Sequence, residues 1–369
     1  MPRIRRILRT THNVITFALW NLFVIVILLI VLEFFSGIFV NWYYYGSGAQ
    51  INYDAFSSKS VANSYLDEVT SLQAIYSPYI EYLPEPNFTG NFMNTDENSL
   101  RKTINDCSGP GAIKIFVLGG STAFGGVGDE NTIASLMSKD LCDQGVRVEV
   151  TNFGVSGYEN TKEIVRLELE LRNGNVPDYV IFYDGVNEVY SAFQNNEAGL
   201  PQNVANRKAE FNKKDRLNLG GYIYYSDTMT IIRGISKRIF KGKEDKSAEN
   251  EKLGDEIVNV YFENLRIVKS LEKEYGFKTY FFWQPIIYLD KPLTDGEKSV
   301  ILENVKPLYL ETYPKIPEIN EEINFYDISN VFSQEKRDVY IDFAHLNGLG
   351  NDIVANKIVN IFSEKEKFK

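Results

Sequence analysis

Histidine is scarce in this chain, with two among 369 residues. His12 lies in a basic stretch ahead of a long apolar run, so imidazole chemistry in a folded domain falls to His345 alone. Cysteine is equally scarce, at two. Cys107, Cys142 and one usable histidine cannot assemble the common zinc ligand sets, so no metal is expected, nor any other cofactor. In an exported domain the two cysteines are candidates for a disulfide. Cys142 also fits the buried face of a helix with Ile133, Leu136, Met137 and Leu141. An excess of positive charge is missing too: the formal net charge is −10. Residues 1–13 hold Arg3, Arg5, Arg6 and Arg9 and no acid, a charge of +4, which leaves −14 on the remainder. Such a chain is a poor partner for nucleic acid. No internal repeat is visible.

A long hydrophobic run is present. Residues 14–40 are overwhelmingly apolar and Leu22 to Leu32 is uninterrupted, while about 20 such residues suffice to cross a bilayer. The expectation is one transmembrane helix over 14–40. Asn21 and Glu33 interrupt it, and Glu33 falls toward the outer end, where a carboxylate reaches the interface. Trp42, Tyr43, Tyr44 and Tyr45 supply an interfacial aromatic belt. The arginines before the helix place residues 1–13 in the cytoplasm and everything after about residue 46 on the far side, periplasmic or extracellular. A cleaved signal is the alternative, with Ser47-Gly48-Ala49 as a cleavage site, but the run is longer than the usual core of such signals. Either way the domain is exported.

Residues 41–110 are polar, turn-rich and aromatic, and read as an irregular extracytoplasmic stem. From 111 to 369 the pattern is that of one α/β domain. Strand candidates at 113–118, 147–152, 179–183, 278–283 and 324–328 alternate with helical periods near 130–144, 159–173, 253–274, 296–312 and 348–363. That alternation implies a parallel sheet covered on both faces. An insert at about 190–255 breaks it, with a tyrosine-rich piece at 221–225 and a charged run from Lys241 to Glu251 that reads as a solvated loop or helix start. The insert leaves the sheet just after Asn187 and is placed to cap a site.

Open parallel sheets bind ligands at the carboxyl ends of their strands. Ser121 in Gly119-Gly120-Ser121-Thr122, the Gly154–Gly157 turn and Asn187 in Asp184-Gly185-Val186-Asn187 each follow a predicted strand, so all three collect at that edge. Far downstream, Asp342 stands three residues before His345. These are the parts of an acyl-transfer site: Ser121 as nucleophile, His345 as base, Asp342 orienting the imidazole. The backbone N–H groups of Ser121 and Gly157 and the Asn187 amide are candidate oxyanion donors. Asn347 can cap a following helix with Ile353, Val354, Ile358 and Ile361 as its apolar stripe. Thr122, Trp283 and Gln284 are candidates for the substrate pocket, with a packed aromatic and a capping amide as the competing reading of the last two.

The set Gly-Gly-Ser-Thr (119–122), Asn-Phe-Gly-Val-Ser-Gly (152–157), Gly-Val-Asn-Glu (185–188) and Asp-Phe-Ala-His (342–345) resembles the four sequence blocks of SGNH hydrolases, also called GDSL-type esterases and lipases. The resemblance spans about 111–363. It implies a three-layer α/β/α flavodoxin-like fold with a parallel five-stranded sheet, and the roles just given for Ser121, Gly157, Asn187 and His345. Two departures stand out: the usual Gly-Asp-Ser is Gly-Gly-Ser here, and the usual Gly-x-Asn-Asp is Gly-Val-Asn-Glu. The leading expectation is a membrane-anchored esterase acting, through an acyl-enzyme, on an acylated saccharide or small ester outside the cytoplasm. Alternatives are an O-acyltransferase, which with one helix needs a partner in envelope-polysaccharide modification, and a non-catalytic envelope scaffold.

Overall fold

A computed structural model describes residues 2–44, 50–211, 226, 228–229, 231–232 and 247–368 of the chain. Outside the described residues lie Tyr45, Ser47-Gly48-Ala49, the 221–225 piece and the charged run as far as Lys246, together with the side chains of Arg3, Arg5, Arg6, Arg9, Trp42, Tyr43 and Tyr44. The chain divides into two compact units, Met1–Ala49 with Asn206–Asp245, and Gln50–Ala205 with Lys246–Lys369.

In the first unit, helix α1 (Pro2–Tyr44) contains one apolar stretch, His12–Phe39, with mean hydropathy 2.9. It is long and apolar enough to cross a membrane, a property that signal sequences share. Its polar side chains find local partners: Asn21 Nδ2 donates to Phe17 O at 2.7 Å. Glu33 accepts from Thr228 Oγ1 at 2.8 Å, so a residue of the 206–245 segment, and not only the interface, satisfies that carboxylate.

The second unit is built on a six-stranded sheet of order β4-β3-β5-β6-β8-β7. The strands are β3 (Ile113–Gly119), β4 (Val148–Asn152), β5 (Tyr179–Asp184), β6 (Lys278–Trp283), β7 (Ile319–Asn320) and β8 (Phe325–Asp327). The five expected strands pair in parallel. The sixth, β7, is a two-residue edge strand running antiparallel to β8. It is joined to β8 by a tight turn in which Asn324 adopts φ +55°, a conformation asparagine tolerates. Two residues carry no period, which is why sequence did not mark this strand.

Alternation along the strands sends side chains to both faces. Ile115, Val117, Ile181, Tyr183, Tyr280 and Phe282 join one apolar cluster with α4 (Ile133–Asp143) and α11 (Gly348–Glu366). Phe116, Leu118, Val180, Phe182, Phe281 and Trp283 join the other with α5 (Asn160–Arg172), α6 (Val186–Asn195), α8 (Ser247–Tyr275) and α10 (Lys306–Thr312). Both faces being dry, the strands read as continuous apolar runs, as a parallel sheet between two helical layers requires. The helix expected over 296–312 is instead two short ones, α9 (Asp295–Lys298) and α10. Pro307 sits in the first turn of α10, where its missing N–H costs nothing, and it could not continue a helix from 296.

Residues 50–110 correct the stem expectation, because they belong to the α/β unit. Helix α2 (Lys59–Ser71) and the hairpin of β1 (Ala74–Ser77) and β2 (Glu81–Pro84) are regular elements within them. Ile51, Ala62, Tyr65 and Met93 pack with Phe124, Val127 and Ile341 in a small core of their own. Asn105 covers the outer edge of β4 by taking Val150 N and giving to Val150 O, both at 2.9 Å, so the strand presents no bare edge there. Cys107 and Cys142 are joined in a disulfide with Cα atoms 5.9 Å apart. The 190–255 insert begins at the end of α6, runs through α7 (Val204–Phe211) and re-enters at α8, whose first turn takes the last residues of the charged run.

Candidate active site

β3 lies between β4 and β5, so the chain leaves it first toward one side of the sheet and later toward the other. Such a reversal opens a crevice at the strands' carboxyl ends. Ser121 follows β3, the 154–157 turn follows β4 and Asn187 follows β5. The nucleophile candidate therefore follows β3, with a donor candidate after each of the strands that flank it.

Ser121 opens the single-turn helix α3 (Ser121–Phe124). The turn before it has no room for side chains: a Cβ at Gly119 would stand 2.6 Å from Ala123 Cβ and 2.8 Å from Tyr183 O. At Gly120 a Cβ would collide with Asn187 Nδ2 and stand 3.0 Å from Tyr158 O. The aspartate of the usual motif would not fit here, because the Asn187 amide occupies that space. Ser121 Oγ makes no hydrogen bond among the described residues.

The second loop is pressed against α3. Asn152 Nδ2 donates to Ala123 O at 2.8 Å and its Oδ1 accepts from Gly154 N at 2.8 Å. Gly154 thereby spends its N–H inside the protein, whereas Gly157, at φ +78°, has an N–H with no partner among the described residues. Asn187 Nδ2 donates to Tyr158 O at 2.5 Å, and Gln202 Nε2 donates to Asn187 Oδ1 at 2.9 Å. Gln202, contributed by the insert, thus fixes which end of the amide faces the serine turn.

Glu188 ties these two donor elements together. Its Oε2 accepts from Gly185 N at 2.6 Å and its Oε1 from Asn160 N at 2.8 Å. The extra methylene of glutamate over the usual aspartate spans from the start of α6 to the start of α5. Around it lie Asp184, Glu163 and Glu159, all buried. Burial, then the charge of Asp184, pushes the Glu188 carboxyl up to about 8. Burial raises Glu159 to about 7 and Asp184 to about 6, and Glu163 well above its usual range. Glu163 Oε2 and Asp184 Oδ1 have no other partner, and a proton held between these two carboxyls satisfies both. Among the described residues no group of His, Cys, Asp or Glu is arranged to hold a metal ion.

On the other side, a loop closed by the Tyr340–Leu346 bridge carries Asp342 and His345. Asp342 Oδ1 accepts from the N–H groups of Ala344 and His345, both at 2.8 Å, and Oδ2 meets His345 Nδ1 at 2.7 Å. About a quarter of each side chain stays exposed, 24% and 25%. Desolvation alone would raise Asp342 and lower His345. The mutual charge and hydrogen bond reverse both, so Asp342 titrates below its usual value and His345 above its own. Glu297, fully buried and paired with Lys291 at 2.6 Å, holds Val339 N at 3.0 Å and Tyr340 N at 3.2 Å, which anchors the loop's entry. Ile341 packs with Phe124 of α3 and with Tyr65, while Phe343 packs on Tyr190 of α6 at 5.7 Å. The histidine loop thus has apolar contacts with both the serine and the asparagine elements. Tyr65 is pushed up by burial and by the charge of Asp342, consistent with its place in that contact.

The serine turn, Tyr158 and Asn187 meet at Gly120, and the loop of Asp342 and His345 shares apolar contacts with α3 and α6. The pocket candidates adjoin the same elements: Thr122 follows Ser121, Trp283 lies against Gly185, and Gln284 N donates to Asp184 O at 2.8 Å. Trp283 is fully buried against Tyr261 and Tyr313, and Gln284 and Thr122 are buried as well. Trp283 shares its face of β6 with Phe281, in keeping with the packed-aromatic reading. Gln202, Glu297 and Arg101, whose guanidinium holds Phe124 O at 3.1 Å, are not marked by any motif, whereas Glu188 stands out as a departure at the asparagine motif.

No family model and no curated protein matches the chain. The solved structures similar to it include esterases. One is an acetyl xylan esterase at 18% identity, covering 67% of this chain and 98% of that one with a TM-score of 0.37. An acetylxylan esterase from Geobacillus stearothermophilus matches at 15% identity over 70% and 95%, TM-score 0.35. A lipase/acylhydrolase from Enterococcus faecalis matches at 14% over 69% and 96%, TM-score 0.35.

Proposed function

We propose that this chain is a membrane-anchored serine esterase of the SGNH type that removes a small acyl group, acetyl in the first instance, from a saccharide outside the cytoplasm. The observation that carries the reading is the Asp342–His345 pair, on a loop whose Ile341 shares a small apolar cluster with Phe124 of the helix that Ser121 opens at the end of β3. The constellation, not the likeness to solved esterases, bears the weight.

In this mechanism Ser121 Oγ attacks the acyl carbon while His345 Nε2 takes its proton, and Asp342 stabilises the imidazolium that forms. The N–H groups of Ser121 and Gly157 and the Asn187 amide receive the charge developing on the acyl oxygen. The tetrahedral intermediate collapses, the C–O bond to the alcohol breaks, and His345 returns the proton to the leaving oxygen. Water, deprotonated by His345, then attacks the acyl-enzyme and releases the carboxylic acid and free Ser121. Glu188 and Gln202 act through Asn187 and the 157–160 turn, as positioning residues. With the apolar stretch of α1 as anchor, the arginines in the helix's first turns set the cytoplasmic end and the catalytic unit lies on the far side, periplasmic or extracellular.

The test is acetate release by the full chain in detergent, from 4-nitrophenyl acetate and from O-acetylated oligosaccharides. Turnover that Ser121→Ala abolishes is expected. A folded protein that leaves both substrates intact overturns the proposal.

A further inference from the structure

The β1–β2 hairpin touches no candidate reacting atom, yet it is fastened to the oxyanion side. Tyr82 Oη donates to Ser156 O at 2.7 Å, and Tyr158 Oη donates to Ile80 O at 3.0 Å and to Tyr82 O. A Cβ on Gly157 would stand 2.7 Å from Tyr82 Oη and 3.4 Å from Gln202 Oε1, so this glycine lies between the hairpin and the insert. The pairing register sets Tyr76 opposite Tyr82. Directly opposed residues project from the same face of a hairpin, with Cβ atoms about 5 Å apart. The Tyr82 ring is partly covered and edge-on to Tyr158 at 5.5 Å, whereas Tyr76 is 82% exposed. A row therefore runs outward from Gly157 through Tyr82 to an open tyrosine ring.

The chemistry of this row selects its ligand. Among the described residues the cation on the Tyr82 ring, Lys162, lies 5.0 Å from it and is neutralised by Glu81 at 2.8 Å, and Arg172 lies at the Tyr79 ring of the hairpin turn, 6.0 Å away, rather than at Tyr76. The −14 balance of the chain beyond residue 13 repels polyanions. A bilayer would have to desolvate Glu81, one-third exposed on the hairpin. An open tyrosine offers a negative ring face to weakly positive C–H groups and a hydroxyl at its edge for hydrogen bonding. The two together match the face and rim of a sugar ring.

We propose that the hairpin face bearing Tyr76 and Tyr82 is a saccharide platform. It seats the uncharged glycan chain that continues from the acylated sugar at Ser121, and for the placement of that sugar it rests on the esterase reading. Tyr76 is the stacking residue and Tyr82 its support.

Two measurements on the full chain in detergent test it, with partially O-acetylated glucomannan as the polymer. In gels containing the polymer, the wild type and Tyr76→Phe are expected to be retarded and Tyr76→Ala to migrate freely. In kinetics, Tyr76→Ala should raise KM for the polymer about five- to tenfold, leaving 4-nitrophenyl acetate turnover within about twofold of wild type. Tyr76→Phe should keep the wild-type KM. Retardation and KM unchanged in Tyr76→Ala would overturn the platform and leave the ring to a lipid interface. A chain that hydrolyses neither ester defeats the esterase reading, and gel retardation still decides the platform.

Discussion

Asp342 and Glu188 each accept two backbone N–H bonds, yet one carboxyl titrates low and the other high. The difference is the next neighbour. Asp342 faces the only imidazole in the α/β unit, whose positive form its charge favours, while Glu188 faces Asp184 in a pocket of buried acids. Hydrogen bonding alone therefore does not fix ionisation; the sign of the adjacent charge does. The histidine side favours a charged pair, and the asparagine side keeps its carboxyls protonated.

The comparison breaks most sharply at Asp342. Asp342→Asn keeps the shape but cannot stabilise an imidazolium, so kcat on an activated acetyl ester should fall about 10³- to 10⁴-fold with KM little changed. A loss under tenfold would mean that the pair is structural. On the other side, Gly120→Asp restores the residue usual in the motif, but its Cβ must displace the Asn187 amide. The expected loss is about 10²- to 10³-fold, the cost of one oxyanion donor, in protein that still folds by circular dichroism. Activity retained by that variant would place Asn187 outside the oxyanion site.

Smaller effects should follow from the acid cluster. Glu188→Gln turns one of its two acceptors into a donor facing an N–H, and about a tenfold fall in kcat is expected in steady-state assays, with Asp342 and His345 untouched. Stability should carry the signature of proton retention. Asp184, Glu159 and Glu188 have folded values of about 6, 7 and 8, above the unfolded carboxyl value of about 4.3. The folded chain binds more protons in that window, so Tm should fall as pH rises from about 4.5 through 8, and level off only once the folded carboxyls have lost their protons. Glu163→Gln, with one less titrating carboxyl, should flatten the slope. Asp342 works oppositely: its contribution is present above the unfolded value of about 3.9 and is lost as pH falls through its lower folded value.

What could be read from the sequence was what is local. The run Ile113–Leu118 ending in two glycines, and Asp342 three residues from His345, each fix a geometry within a few positions, and five strands announced themselves by apolar runs. What could not be read was long-range. Tyr82 reaches Ser156 across 74 positions and Glu297 reaches Val339 across 42, and no spacing rule encodes either. Within residues 50–110 the helical period of Lys59–Ser71 is embedded in polar, turn-rich sequence, and Ile51, Tyr65 and Met93 become core only once Phe124 and Ile341 arrive beside them. Gly120 was visible as a departure, but what occupies the space beside it, the Asn187 amide, appears only in three dimensions.

The central claim is that Ser121 is a nucleophile activated by His345. The most direct measurement is labelling of the full chain by a fluorophosphonate, mapped by peptide mass spectrometry and followed as a function of pH. Modification at Ser121 is predicted, abolished in Ser121→Ala and His345→Ala. Its rate should rise to a plateau through a midpoint above about 6.5, because Asp342 holds the imidazole's proton. Folded protein that takes no label, or labelling at Ser121 that His345→Ala leaves intact, would contradict it.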